Sequence, residues 1–302
     1  MGSAFGFALM GMFVRLADDF GGAIPFTQKS FFRNLVAVVV AGGLFWRTCG
    51  RGALPRGRAP WWPLVWRSVF GTIGIFGNFY ALSHIPLGDA CMLNKLSPFA
   101  AVVASWLLLG ERVTARQGIA VAIAFAGAMF VVKPGFALAG ETAAALAGLA
   151  GGISAGLAYT CVRRLGILKV APSFIVLFFS CFSTLVTVPF LVFDYHPMTW
   201  AQVATLFGAG VAATAGQFGI TAAYRLAQPR ELAVYDYTNV VFAALLGFAV
   251  FGQVPDLFSW LGIAIIVAMG IFMNRRAELP ARRRGRRRDG VVEYPHVSEE
   301  RP

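Results

Sequence analysis

Two charged residues stand apart in this chain because of where they lie. Lys95 is the only lysine well inside a long apolar stretch, and Asp236 is the only acid so placed. Near Lys95, the residues Asn94, Pro98, Ala101 and Ser105 fall close to one helical face, and near Asp236 so do Tyr235, Asn239 and Ala243. Asn78 follows Gly71 and Gly74 at helical spacing, Gln217 shares a stripe with Thr214, Thr221 and Tyr224, and Tyr159 lies on a glycine-lined face. An ammonium receives a carboxylate or phosphate, and a carboxylate receives an amine or a proton. Asn, Gln and Tyr complete the hydrogen bonds around either. The chemistry this set offers is therefore the holding of a small polar solute, amphoteric or anionic. Pro98 adds a mechanical element: without an N–H, and with its ring against the preceding turn, it predicts a hinge that frees a carbonyl near Asn94. The competing reading is that the same polar groups only join helices to one another. Arg33, some six residues into its apolar stretch, reads as a side chain that snorkels to the outer interface.

Those residues need elements to carry them, and composition says which. The chain is 58% hydrophobic and 13% charged, against roughly 25% charged in a soluble domain. Apolar stretches near the ~20 residues that cross a bilayer recur throughout. Ten are expected: 3–17, 27–46, 61–82, 89–109, 116–133, 144–162, 170–193, 200–222, 232–251 and 256–274. The expected fold class is an all-α integral membrane protein with ten transmembrane helices.

The ten stretches repeat as two fives. Ser97 to Arg112 and Asn239 to Val254 read as diverged copies about 142 positions apart, each an apolar helix closed by Gly and then Glu or Gln. Upstream, Tyr80-Ala-Leu82 before Pro86 parallels Tyr224-Arg-Leu226 before Pro229. With five helices per copy, the second copy must enter the membrane from the opposite side, so charge should invert between equivalent loops. Asp18 and Asp19 stand against Arg163, Arg164 and Lys169, and Arg47, Arg51, Arg56 and Arg58 against Asp194. Asp89, with His84 as its only basic neighbour, stands against Arg225, Arg230 and Glu231, while Glu111, Arg112 and Arg116 stand against Asp256 alone. All four comparisons place both termini in the cytoplasm. The expected organisation is a first repeat over 1–138, an inverted second repeat over 139–274, and a basic, disordered cytoplasmic tail over 275–302.

Other functions find little support. Gly152-Ile-Ser154-Ala-Gly156 matches the letters of a nucleophile elbow, but it lies inside an apolar helix with no histidine or acid to activate the serine. Gly148, Gly152 and Gly156 read better as a row of small residues that lets another helix approach. Neither a Walker loop nor a CxxC pair is present, so no cofactor and no metal are expected, and ATP-driven transport is disfavoured. The net charge of +12 is concentrated in nine arginines from Arg275 to Arg301. Such a tail sets orientation and meets anionic lipid head groups, and nothing else in the chain resembles a nucleic-acid module. The N-terminal segment lacks the basic region and cleavage site of a signal peptide. Its first stretch is short enough that either the helix starts at the first residue or the natural start lies upstream.

Five plus five helices, a Pro-Phe helix ending Leu-Leu-Leu-Gly-Glu111, the Gly-containing helix from Gly118 to Val132 and an arginine in the second stretch together resemble the drug/metabolite transporter superfamily, EamA type. The resemblance covers about residues 3–274. It implies a ten-helix basket with a central cavity lined by helices 1, 3, 4, 6, 8 and 9, and leaves helices 5 and 10 peripheral and available to form a homodimer. It implies no enzyme activity, but secondary-active transport of small polar metabolites by alternating access, amino-acid-like or S-adenosylmethionine-like, across a bacterial inner membrane. The second copy departs from the pattern at Gln253 and Val240, where the first has Glu111 and Pro98. The alternatives are a lipid-translocating protein and a non-transporting membrane scaffold.

Overall fold

Long runs of Ala, Leu, Val, Phe and Gly without charges leave the backbone in lipid no hydrogen-bond partner but itself, and the helix is the local solution. The computed structural model describes residues 1–48, 57–84, 93–132, 142–252 and 254–288, and among them there are helices and no strand. The helices are α1 (Gly2–Asp19), α2 (Phe26–Thr48), α3 (Trp61–His84), α4 (Ser97–Leu109), α5 (Ala115–Val132), α6 (Thr142–Ile167), α7 (Pro172–Phe193), α8 (Trp200–Leu226), α9 (Pro229–Asp236), α10 (Thr238–Phe251) and α11 (Leu257–Arg288). Five segments are long and apolar enough to cross a bilayer: Phe26–Arg47, Thr142–Ile167, Pro172–Phe193, Trp200–Leu226 and Pro229–Phe251, the last comprising α9 and α10. Shorter apolar helices follow at Ser97–Leu109, Ala115–Phe130 and Leu257–Phe272. Several of the sequence expectations, including Arg51, Arg56, Pro86, Asp89, Gln253 and the tail beyond Arg288, lie outside the described residues. The basic run Arg282–Arg288, expected in a disordered tail, continues α11 as helix.

Small residues set the packing. α3 lies along α6 and α1 along α8, and both contacts are backbone to backbone. A Cβ on Gly77 would strike the Ala147 carbonyl, and one on Gly151 would lie 2.9 Å from the Asn78 nitrogen. In the other pair, a Cβ on Gly6 would lie 2.8 Å from the Gly216 nitrogen. The Gly148, Gly152 and Gly156 row of α6 takes the chain entering α4: a Cβ on Gly152 would strike the Leu93 carbonyl, and one on Gly156 would be 2.6 Å from the Ser97 carbonyl. Without hydrophobic drive between helices in lipid, such close approach is a main source of association.

Many hydroxyls inside these helices are satisfied on their own helix. Ser68 donates to the Leu64 carbonyl at 3.0 Å and Thr214 to the Gly210 carbonyl at 2.7 Å. Outward, Trp106, Leu107 and Leu108 are exposed, as side chains facing lipid should be. α5 and α11 pack on each other and, through Ala124, Ala233, Tyr237 and Ile266, on α9 and α10. The tenth apolar stretch buries one face through Ile266 and leaves Trp260, Leu261, Val267 and Ile271 exposed on the other.

One end of the bundle is tied by polar contacts between distant segments. Glu111, just past α4, accepts from Arg163 Nε of α6 at 2.9 Å and from the Ser105 hydroxyl, and Arg163 Nη1 donates to the Arg225 carbonyl at 3.3 Å. Between the first turn of α2 and the loop after α7, Gln28 and the His196 backbone exchange two hydrogen bonds, of 2.9 and 3.0 Å. Thr199 and Gln202 form a capping box at the start of α8.

Candidate functional site

The polar residues converge where two helices are interrupted. Residues 93–94 are helical, Lys95 and Leu96 form a turn, and α4 starts at Ser97. In the second half, α9 ends at Asp236, Tyr237 forms a turn, and α10 starts at Thr238. The residues at the two junctions have matching conformations, Leu96 at φ −74° and ψ −15° and Tyr237 at φ −71° and ψ −19°. Each interrupted helix then ends on a left-handed glycine, Gly110 at φ 68° and Gly252 at φ 65°, a conformation that favours glycine.

The two interruptions face each other. Tyr237, fully buried, donates its hydroxyl to the Lys95 carbonyl at 3.3 Å. Lys95 Nζ donates to Asn239 Oδ1 at 2.6 Å, and Asn239 Nδ2 donates to the Ala4 carbonyl of α1 at 2.9 Å. Asp236 Oδ2 accepts from the Tyr224 hydroxyl of α8 at 2.7 Å. The Tyr224 ring stacks on Tyr159 of α6, with centroids 4.7 Å apart and planes 10° apart. Lys95 and Asp236 thus meet the same junction, the lysine through Asn239 and the aspartate through Tyr224.

Of the residues singled out from the sequence, Lys95, Asn239, Asp236 and Tyr159 are thus brought together across α1, α4, α6, α8, α9 and α10. Asn94 is half-buried with its backbone against Gly152, and Asn78 is half-buried beside Gly151. Gln217 turns along its own helix to Thr221 Oγ1 at 3.3 Å. Tyr235 reaches away to the Gly270 carbonyl of α11 at 3.5 Å. Pro98 sits in the first turn of α4, where a missing N–H costs no helical hydrogen bond. The interruption precedes it, and the Lys95 carbonyl is met by Tyr237 rather than left open. A cavity of about 800 Å³ opens between the start of α1, the end of α8, α9 and α11, with Tyr235 and Asp236 in its walls.

Two functional candidates are not evident from the sequence pattern. Tyr237 looks there like another aromatic in an apolar helix. Arg67 of α3 is 2% exposed, its guanidinium 3.9 Å from the centre of the Phe179 ring of α7. Its signal is present all the same, since an arginine six residues into the stretch beginning Trp61-Trp62-Pro63 is as anomalous as Arg33. Nor does Arg33 snorkel clear of the protein: its Nε is buried without a partner, and its Nη1 turns to Asn34 Oδ1 at 3.5 Å.

The chain matches the EamA-like transporter family twice, over residues 1–133 and 142–275. It is 31% identical to the pseudopaline exporter of Pseudomonas aeruginosa over 274 residues, covering 90% of this chain and 93% of the relative. Against the riboflavin transporter of Vibrio cholerae it is 28% identical over 268 residues, 86% of each chain. A solved crystal structure 19% identical in sequence superposes with a TM-score of 0.73 over 92% of this chain and 98% of the other, a likeness of fold. Apolar helices of membrane-spanning length, close glycine packing and two family matches covering both halves agree: this chain is an integral membrane protein and belongs to the EamA-like transporter family.

Proposed function

We propose that this protein is a secondary-active transporter that moves small polar metabolites, amphoteric or anionic, by alternating access across a bacterial inner membrane. In this reading all ten apolar stretches span the bilayer as two inverted five-helix repeats, 1–138 and 139–274, with both termini in the cytoplasm. The basic end of α11 then lies at anionic lipid head groups. A homodimer through the outer faces of the fifth and tenth spans belongs to the same reading.

The observation that carries it is the meeting of the two interrupted helices. Backbone that leaves the helical ladder inside a bilayer is tolerated only where protein or a water-filled cavity receives it. Here both interruptions turn towards one another and bring a lysine and an aspartate with them, the arrangement expected of a solute site between two repeats. Relatives named as an exporter and as a riboflavin transporter support a solute rather than a lipid as cargo.

Purified protein screened by thermal shift against amino acids, nucleosides and organic acids, followed by counterflow in proteoliposomes with the hits, tests the function. Accumulation lost in Lys95→Ala, with the protein still folded, is the expected result. Movement of labelled lipid without any solute uptake would replace it with lipid translocation. Single cysteines placed in the Arg51 to Arg58 loop should react only from the cytoplasm, and one at Asp194 only from outside. The reverse pattern overturns the inverted arrangement.

A further inference from the structure

Away from the Lys95 and Asp236 junction, α2 and α3 bring two arginines into the helix bundle, and among the described residues no acid pairs with them. α2 and α3 both pack on α7, and Arg67 lies near enough to Arg33, and both near enough to Tyr159, for their charges to interact. Among the described residues neither arginine has an ion-pair partner, and the Nε of each is buried without an acceptor. An arginine cannot shed its proton to relieve that cost as a lysine can. The Phe179 ring face offsets only part of the cost of burying one guanidinium.

The surroundings are shaped around these groups. A Cβ on Gly71 would strike Arg67 Nη1, so the glycine makes the space in which that guanidinium folds over α3. On α7, next to Phe179, the Ser180 hydroxyl is fully buried and has no partner, and neither has the Thr184 hydroxyl one turn on. Arg33 and Tyr159 each keep part of their surface accessible. Unused donors of one sign and a partly open face describe a place prepared for an anion.

We propose that Arg33 and Arg67 form an oxyanion subsite that takes a carboxylate or phosphate of the transported solute. The proposal rests on the transporter reading above for the word transported, and adds to it that the cargo carries a negative group held by α2 and α3. Tyr159, stacked on the Tyr224 that holds Asp236, connects this subsite to the Lys95 junction. A solute spanning both would place its oxyanion at the arginines and its remaining polar groups at the junction.

The test uses the full chain in maltoside micelles, which contain neither phosphate nor carboxylate. Phenylglyoxal modification of Arg33 and Arg67 is read by peptide mass spectrometry with inorganic phosphate, succinate, or the neutral succinamide. The expected result is labelling slowed about tenfold or more at both arginines by phosphate or succinate and not by succinamide, the size of effect given by a charge-assisted contact. Exposed Arg112 and Arg116 should label equally throughout. Equal protection by succinamide, no protection by either oxyanion, or arginines unreactive under every condition each overturns the proposal. Protection by added phosphatidylglycerol alone also overturns it, by assigning the site to a lipid head group. Arg33→Gln and Gly71→Ala, the latter displacing Arg67, should abolish oxyanion-dependent thermal stabilisation. If these variants do not fold, the wild-type protection decides. Solute accumulation in proteoliposomes without protection removes the subsite and leaves the transport reading standing, whereas protection without accumulation of any solute does the opposite.

Discussion

The interruption before α4 and the interruption between α9 and α10 occupy equivalent places in the two copies, and they are held by different means. The first is fixed from outside: α6 presses Gly152 and Gly156 against the Leu93 and Ser97 carbonyls, and Glu111 ties the far end of α4 to Arg163. The second is fixed by its own side chains: Thr238 Oγ1 donates to the Tyr235 carbonyl at 2.6 Å, Asp236 accepts from Tyr224, and Asn239 reaches the Ala4 carbonyl. The backbone outcome is nearly the same, turn and left-handed glycine included. What differs is charge, a lysine at the first interruption and an aspartate at the second. Duplication has kept the turn and diversified the chemistry.

If that division is right, exchanging the charged groups should harm transport most. Lys95→Ala is expected to lower uptake by about 100-fold, the upper end for removing a charged hydrogen-bonding group. Lys95→Arg should restore little, because a planar fork does not replace a compact ammonium. Asp236→Asn is expected to remove concentrative uptake to a similar degree. Counterflow exchange retained in that variant assigns the carboxylate to proton coupling, and binding lost at every pH assigns it to the solute's amine. Normal transport across the pH range would reduce Asp236 to a packing group.

A second group of changes probes the external clamp of the first copy. Glu111→Gln leaves the half-buried Arg163 without its counter-charge, and a loss of about 2–3 kcal/mol in unfolding free energy is expected. The second copy carries a glutamine at this place by nature. A neutral outcome for Glu111→Gln would therefore mean that the first clamp does not depend on charge. Gly152→Ala places a Cβ against the Leu93 carbonyl. The clash should outweigh the roughly 1 kcal/mol of helix propensity gained, for a net loss of about 1–3 kcal/mol in the same measurement. Gly43→Ala in α2, where a Cβ meets nothing within 4 Å, is the control and should be neutral or slightly stabilising.

Much of this arrangement is legible in the amino-acid sequence. Most of the apolar stretches mark helices to within about five residues because bilayer thickness fixes their length, although α4 begins at Ser97 rather than 89 and α11 runs past 274 to Arg288. The glycine row of α6 announces a close helix contact because three-residue gaps put glycines on one face. Orientation within the interrupted helices is not legible. Across the turn at Tyr237, Asp236 and Asn239 still meet at the Lys95 junction, whereas Tyr235 leaves it for the Gly270 carbonyl. One goes to α11, one to α8, one to α1. Gln217 and Thr221 satisfy each other four residues apart, which a stripe of polar residues cannot distinguish from a cavity wall. Arg67 is easily passed over because it stands among tryptophans, away from the lone lysine and the lone acid.

The smallest effect is also the sharpest test of the comparison. Proline is the obvious reason for a broken helix, and Pro98 stands three residues after Lys95. Its counterpart Val240 has an N–H, which donates to the Tyr237 carbonyl at 3.0 Å, and the helix is interrupted there all the same. Pro98 lies in the first turn of α4, where the helix has no bond for it to remove, and Ala100 already donates to the Leu96 carbonyl at 3.0 Å. Pro98→Ala should therefore change unfolding free energy by less than about 1 kcal/mol, with most of the change coming from the unfolded chain, and should leave uptake within about twofold of wild type. Spin labels on α6 and on α4 would then report unchanged distances. A variant that straightens the segment between Leu93 and Ala101, or that loses transport as Lys95→Ala does, would show that the first copy is broken by its proline and only the second by its contacts.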